Sequence, residues 1–368
     1  MKRYGETTRL VQLDLTRPRD AERLARADRA LIEETEGTDG RLPAFNLDQA
    51  ARGWAAVPDG LAVSAFVAVD DGGEPVGYSL AMWPANTPVG ATCSLTVHVQ
   101  PSWRRRHIGA ALMRAALETV PDSCGPGVSE ARFVPAPDGV RPTGMAFAEV
   151  MGLRCSDVSQ HYVHAWPQDP DLLDRLDPTA PGPDGSRGLG QYVIRTYVDG
   201  VPDELAAGLG VLMGMVDTEA PTGDRVIEPH PVSPEAYRSD VARCVALGGH
   251  RVETLALDEE RVVAFNALEV PADADDRLLV RDTLVERGHR VRRLGLAVKV
   301  AGERALLAMD LPQRSIRTRT SDTNSPMRRL NERLGFVPLF TQAELDGRVV
   351  EARDHAHHAL GTTPASGR

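Results

Sequence analysis

Apolar and polar positions alternate over residues 8–14, and the spacing turns helical from Asp20 through about Trp54. Alternation returns over residues 63–69, 75–83 and 92–99, which predicts three strands. Ile108, Leu112, Ala115 and Ala116 then recur at helical intervals within 106–117, so an amphipathic helix is expected there. A strand over 131–134, a short helix over 144–151 and a strand pair ending near Trp166 complete the order β, αα, βββ, α, β, α, β.

Residues 167–190 are rich in Pro, Gly and Asp and lose periodicity after Leu176, which reads as an interdomain linker. The pattern then restarts. It has a strand over 191–198, helices from Asp203 and Ser233, strands over 252–257, 262–270 and 278–285, and a helix over 293–309. A strand over 315–320, a helix over 325–334 and a last strand region follow. The predicted division is 1–166, a linker 167–190, a second domain 191–353 and a flexible tail 354–368. The two halves superpose: Arg104 falls on Arg290 and Gly109 on Gly295, both at an offset of 186, and Gly152-Leu153 falls on Gly335-Phe336 at 183. Such a near-constant offset marks a tandem duplication.

Composition narrows the function classes. A chain of 368 residues suits two domains at about 150 residues each. The net charge of −10, with no basic block, argues against nucleic acid as a partner. No apolar run approaches the ~18 residues that span a bilayer, and residues 1–10 carry no apolar leader. The expectation is a cytoplasmic protein with no membrane partner. Cys93, Cys124, Cys155 and Cys244 show no CxxC or Cys/His ligand spacing, so they read as reduced thiols and no metal is implied.

Each half contains a strand, a turn with clustered arginines, and a helix opening near one glycine. The start of a helix offers unpaired N–H groups and a partial positive charge, and glycine lets a phosphate approach the backbone, so each turn reads as an anion cradle. Neither GxxxxGK[ST] nor GxGxxG occurs.

Pro101-Ser-Trp-Arg-Arg-Arg-His-Ile-Gly109-Ala resembles motif A, R/Q-x-x-G-x-G/A, of the GNAT superfamily of acyl-CoA-dependent N-acetyltransferases. His289-Arg-Val-Arg-Arg-Leu-Gly295 resembles a second copy. Asn324-Ser-Pro-Met-Arg-Arg-Leu-Asn-Glu-Arg-Leu-Gly335-Phe336 is similar to the family's N-x-x-A-x-x-x-Y-x-x-x-GF segment, of which Gly144 to Leu153 keeps only the end. The resemblance covers nearly the whole chain. It implies an α+β fold of two tandem GNAT-like domains, each a mixed, mostly antiparallel sheet flanked by helices. It also implies acetyl-CoA as co-substrate. Val97, His98 and Val99, and Thr283, Leu284 and Val285, would then face pantetheine. Arg105, Arg106, His107, Ile108, Gly109 and Ala110, and Val291, Arg292, Arg293, Leu294, Gly295 and Leu296, would cradle its pyrophosphate. Asn324 would contact the cofactor, cap its helix, or do both.

The sequence departs from that family at three places. The middle glycine of motif A is His107 in one copy and Arg293 in the other. The tyrosine that often protonates the leaving thiolate is Asn331, and about Ala148 in the first copy. The frequent glutamate base falls near Leu278 or Leu279, and near Thr92 or Cys93. Replacement proton acceptors are therefore sought at Glu269 and Asp282, with Asp217, Glu219 and His98 as further candidates. The expectation is acetyl transfer to a primary amine of a small molecule by direct attack in a ternary complex, carried by the C-terminal domain of a monomer or homodimer. A non-catalytic acyl-CoA-binding scaffold and a protein lysine acetyltransferase are the alternatives.

Overall fold

The computed structural model describes residues 8–36, 47–55, 60–86, 91–124, 126–133, 143–180, 188–219, 230–271 and 277–362. The first half runs β1 (Arg9–Leu13), α1 (Pro18–Glu36), α2 (Leu47–Ala55), β2 (Leu61–Val69), β3 (Pro75–Pro84), β4 (Cys93–Val99), α3 (Ile108–Leu117), β5 (Pro126–Phe133), α4 (Thr143–Val150) and β6 (Arg154–Ala165). After α5 (Pro170–Leu176) the order repeats as β7 (Tyr192–Val198), α6 (Asp203–Glu219), α7 (Pro234–Ala246), β8 (His250–Asp258), β9 (Arg261–Val270), β10 (Arg277–Val285), α8 (Leu294–Ala308), β11 (Ser315–Ser321) and α9 (Ser325–Arg333). The chain closes with β12 (Val337–Arg348) and α10 (Val349–Ala359). The expected helix over 20–54 is two helices, and residue 134 lies outside the described residues.

These elements form two compact units that do not follow the two sequence halves. The first holds the described residues up to Val158 together with those from Phe340 onward, and the second holds 159–339. In the first unit the strand order is β1-β2-β3-β4-β5-β12, antiparallel except for β4 with β5. The second runs β6-β11-β10-β9-β8-β7, antiparallel except for β10 with β11. Each half thus gives its last strand to the other half's sheet. The expected boundaries of 1–166 and 191–353 are corrected accordingly.

One face of each sheet is covered by the early helices and the other by the helix after the Arg/Gly turn. In the first unit, Leu24 and Ala27 of α1 pack on Val67, Tyr78 and Leu80. On the opposite face, Ile108 and Leu112 of α3 meet Ala68, Val76, Val97 and Val99. In the second unit, Leu205 and Leu209 of α6 and Tyr237 and Val241 of α7 cover Leu255, Phe265 and Ala267. Leu294 and Val298 of α8 lie against Ala256, Ala264 and Val285 on the other side.

Two further expectations change. The segment read as linker contains α5, because Asp169-Pro170 is a helix start and not a breaker: the Asp169 carboxylate accepts from the Asp171 N–H at 3.0 Å, and proline occupies the first turn. Leu173 is fully buried among Leu278, Ile316 and Phe336, and the Gln168 side chain donates to the Leu334 carbonyl at 2.6 Å, so this stretch belongs to the second unit. The tail expected to fray from residue 354 instead continues α10, whose Val349, Ala352 and Ala356 are buried at helical spacing in the first unit. Arg353 of that helix donates to the carbonyls of Leu117 and Val120 at 2.9 Å, where α3 ends and acceptors are left over.

Candidate active site

In both units the strand before the Arg/Gly turn parts from its parallel neighbour. β4 pairs with β5 only at Cys93, Ser94 and Leu95, after which β5 continues along β12 as far as Phe133. β10 pairs with β11 only at Arg277, Leu278 and Leu279, after which β11 continues along β6 to Ser321. The stretches Thr96 to Val99 and Val280 to Val285 therefore keep one sheet partner each, β3 and β9, and turn their other backbone edge into the split. Such an edge is a row of donors and acceptors ready to pair with an extended polar chain.

The split leads into a turn whose backbone is the same in both units. Arg105 and His107 have φ of 64° and 61°, and Val291 and Arg293 have 65° and 62°. The left-handed position that favours glycine in motif A is thus occupied by His107 and Arg293 without loss of the conformation, at the steric cost such residues bear there. His107 and Arg293 are the N-caps of α3 and α8, and neither helix receives a side-chain cap. The first intrahelical bonds come from Ala111 and Ala297, so the helices supply no acceptor for the N–H groups of Ile108, Gly109 and Ala110, or of Leu294, Gly295 and Leu296. Arg105, Arg106, Arg292 and Arg293 are exposed around these donors. The arrangement suits a pyrophosphate, and the split beside it suits a pantetheine arm, so the residues fit the cofactor the sequence implied.

The remaining arginine of each turn is structural. Arg104 donates from Nε to the Val99 carbonyl at 2.9 Å, and its Nη2 reaches both Glu34 carboxylate oxygens at 2.5 and 2.6 Å. Arg290 does the same with the Val285 carbonyl at 3.1 Å and Glu219 at 2.6 Å. Each arginine ties its turn to the strand end and to the last turns of α1 or α6. Glu219, considered as a proton acceptor, is instead this brace. Glu34 was not singled out from the sequence, since 70 positions separate it from its partner. Asn324 accepts from the Met327 N–H at 3.3 Å, so its side-chain oxygen caps α9. Asn331, at the family's tyrosine position, is buried and donates to Thr320 Oγ1 at 3.0 Å. Asp217 belongs to α6.

A group of charged residues of the second unit lies on the face covered by α6 and α7. Asp282 lies opposite Ala267, which lies opposite Glu253, and paired strand residues share a face. A β-bulge between Val280 and Asp282 breaks the alternation of β10 and places Arg281 beside Glu269 and Asp240, at 2.6 and 4.0 Å. Glu269 is thereby held in an ion pair. Arg251 is fully buried between Asp240 at 2.6 Å and Glu253 at 3.3 Å. Burial pushes the Glu253 carboxyl up to about 7 against the pull of Arg251. At Asp240 burial works in the same direction, but hydrogen bonds from Arg251 and Arg243 hold its carboxyl below the usual range.

The pH dependence of stability follows from Glu253. Its folded pKa lies above the unfolded value, so its contribution is complete below about pH 4.5 and is lost as pH rises through about 7. Urea midpoints should fall across that window by on the order of 2–3 kcal/mol of stability. Glu253→Gln should flatten that slope; an unchanged slope would place the titration elsewhere.

The comparisons with known proteins concern the fold. The acetyltransferase (GNAT) family profile matches residues 30–131. A tandem GNAT protein from the clavulanic acid biosynthesis pathway superposes with a TM-score of 0.64 at 22% identity, covering 93% of this chain and 98% of that one. A GCN5-related N-acetyltransferase from Sphaerobacter thermophilus also reaches 0.64 at 18% identity, covering 92% and 96%. A glucosamine N-acetyltransferase region of a fungal multi-domain β-N-acetylglucosaminidase reaches 0.57 at 14% identity, covering 93% of this chain and 38% of that one. No curated protein matches the sequence. Among the described residues no helix is long and apolar enough to cross a membrane.

Proposed function

We propose that the chain is a GNAT-type acyltransferase, a reading supported by the family profile over residues 30–131 and by the tandem GNAT fold it shares, and that it transfers an acyl group, acetyl first, from acyl-CoA to a primary amine of a small molecule, with the C-terminal unit carrying the transfer. The observation that carries this reading is the strand split that opens after three residue pairs and runs into an uncapped helix start. In the second unit the N–H groups of Leu294, Gly295 and Leu296 hold the pyrophosphate, and the backbone of Val280 to Val285 pairs with pantetheine. The carboxylates of Asp240, Glu253, Glu269 and Asp282 outnumber Arg251 and Arg281 on the face beside β10, which favours a cationic acceptor.

Direct attack requires a neutral amine, so a proton must leave it as the C–N bond forms and the C–S bond breaks. Asp282 stands on the cofactor strand itself and Glu253 shares its face, with a carboxyl pushed to about 7, a value suited to accepting a proton near neutrality. Glu269 acts through Arg281, which it holds. The test is free-thiol release from acetyl-CoA with spermidine, tyramine and a lysine-bearing peptide as separate acceptors. The two amines should raise release above hydrolysis and the peptide should not. Asp282→Ala should lower turnover by at least ~10-fold and alter its pH profile. Release that no acceptor stimulates would remove the transferase reading.

A further inference from the structure

We propose that the N-terminal unit is a second transferase centre in which His98 Nδ1 is the proton acceptor, an inference that rests on the acyl-CoA reading above. His98 stands on β4 within the stretch that β5 has left, between the anion-binding turn and the point where the two strands rejoin. Its cross-strand partner is Tyr78, whose side chain lies in the α1-covered core, so the imidazole emerges on the α1 face of the cofactor strand. Only 6% of His98 is exposed.

The tautomer follows from its partner. His98 Nε2 lies 3.1 Å from Glu34 Oε2. Burial works to raise the Glu34 carboxyl, but the hydrogen bonds from His98 and Arg104 outweigh it and hold that carboxyl below its ordinary value. An ionised carboxylate only accepts, so Nε2 carries the proton and Nδ1 carries the lone pair. Nδ1 is buried and has no hydrogen-bond partner among the described residues. A satisfied structural histidine would use both nitrogens, because an orphaned buried nitrogen costs free energy. The charged and titratable groups around the ring are Glu34 and Asp28 of α1, Tyr78 of β3 and Arg104 of the turn; Tyr78 donates to Asp28 at 2.7 Å. Glu34 thus orients the base and braces the cradle at once. The second unit repeats the brace but has Leu284 at the equivalent position, so its proton acceptor has to come from the carboxylates.

The step is a balanced acyl transfer. The amine nitrogen bonds to the thioester carbonyl carbon, the C–S bond breaks, the amine proton passes to Nδ1, and the thiolate leaves and regains a proton to give free CoA. The carboxylate of Glu34 stabilises the imidazolium formed in between.

The experiment uses the full chain with Gly295→Asp, which silences the second cradle, and follows free-thiol release from acetyl-CoA with spermidine and with tyramine. The inference expects measurable turnover in this background. Adding His98→Gln should reduce kcat by about 100-fold and remove the acid limb of the kcat/KM profile, while calorimetry shows the same acetyl-CoA affinity at the first cradle. Turnover within threefold after His98→Gln would overturn the role of His98. Release by the unaltered protein that vanishes in Gly295→Asp alone would overturn the second centre and leave the C-terminal reading standing. Absence of release in the unaltered protein would overturn both.

Discussion

Gly295→Asp will abolish acetyl-CoA binding at the second cradle, weakening it by at least ~100-fold, or about 3 kcal/mol. Gly295 occupies the second position of α8, where uncapped N–H groups and the helix dipole favour an anion. The aspartate would place its own carboxylate in the seat of the pyrophosphate. The fold tolerates it: a Cβ at Gly295 meets only Leu330 and Val285, at 3.5 Å each, and an acidic residue in a helix's first turn is favourable. Gly109→Asp should act likewise at the first cradle, but there a Cβ comes within 3.2 Å of the Phe147 ring, so some loss of stability will accompany the loss of binding. Calorimetric titration of both variants reads site and stoichiometry together. Undiminished affinity in either variant would remove that turn from the account.

Dividing the chain where its sequence suggests will destroy the first unit. A fragment of residues 1–166 lacks β12, which pairs with β5 over eight positions from Thr341 to Arg348, and lacks α10, whose Val349, Ala352 and Ala356 complete the core around Met113 and Leu117. An open sheet edge beside a missing helix invites aggregation. Residues 159–339 are contiguous and run from the part of β6 that pairs with β11, Ser159 to Ala165, through α9, so that fragment should retain cooperative urea unfolding while 1–166 shows none. A cooperative transition in 1–166 would contradict the exchanged strands.

The strand–turn–helix units were legible because everything that defines them is local: alternation before the turn, arginines and glycine within it, helical spacing after it. The 186-residue offset likewise disclosed the duplication. It could not disclose which sheet each last strand joins, since β6 and β12 end equivalent repeats and the exchange changes no residue in either. The α5 segment was misread because Asp-Pro is both a turn signal and a helix start, and Leu173 decides between them only through distant partners. The brace of Arg104 on Glu34 and of Arg290 on Glu219 spans about 70 residues, beyond any spacing rule. The β10 bulge, which sets Arg281 on Glu269, has no signature in a run of Leu, Val, Arg and Asp. Glu253 was missed because a lone glutamate within an apolar strand carries no motif, and its environment exists only once α6 and α7 close over β8.

Amide hydrogen exchange of the intact protein, with and without saturating acetyl-CoA, tests the central claim most directly, because it reports where backbone donors become engaged. The account predicts protection in two separate regions, residues 96–110 and 280–296, where the open strand edges meet the uncapped starts of α3 and α8. Unchanged exchange in both regions, or protection confined to other parts of the chain, would contradict it.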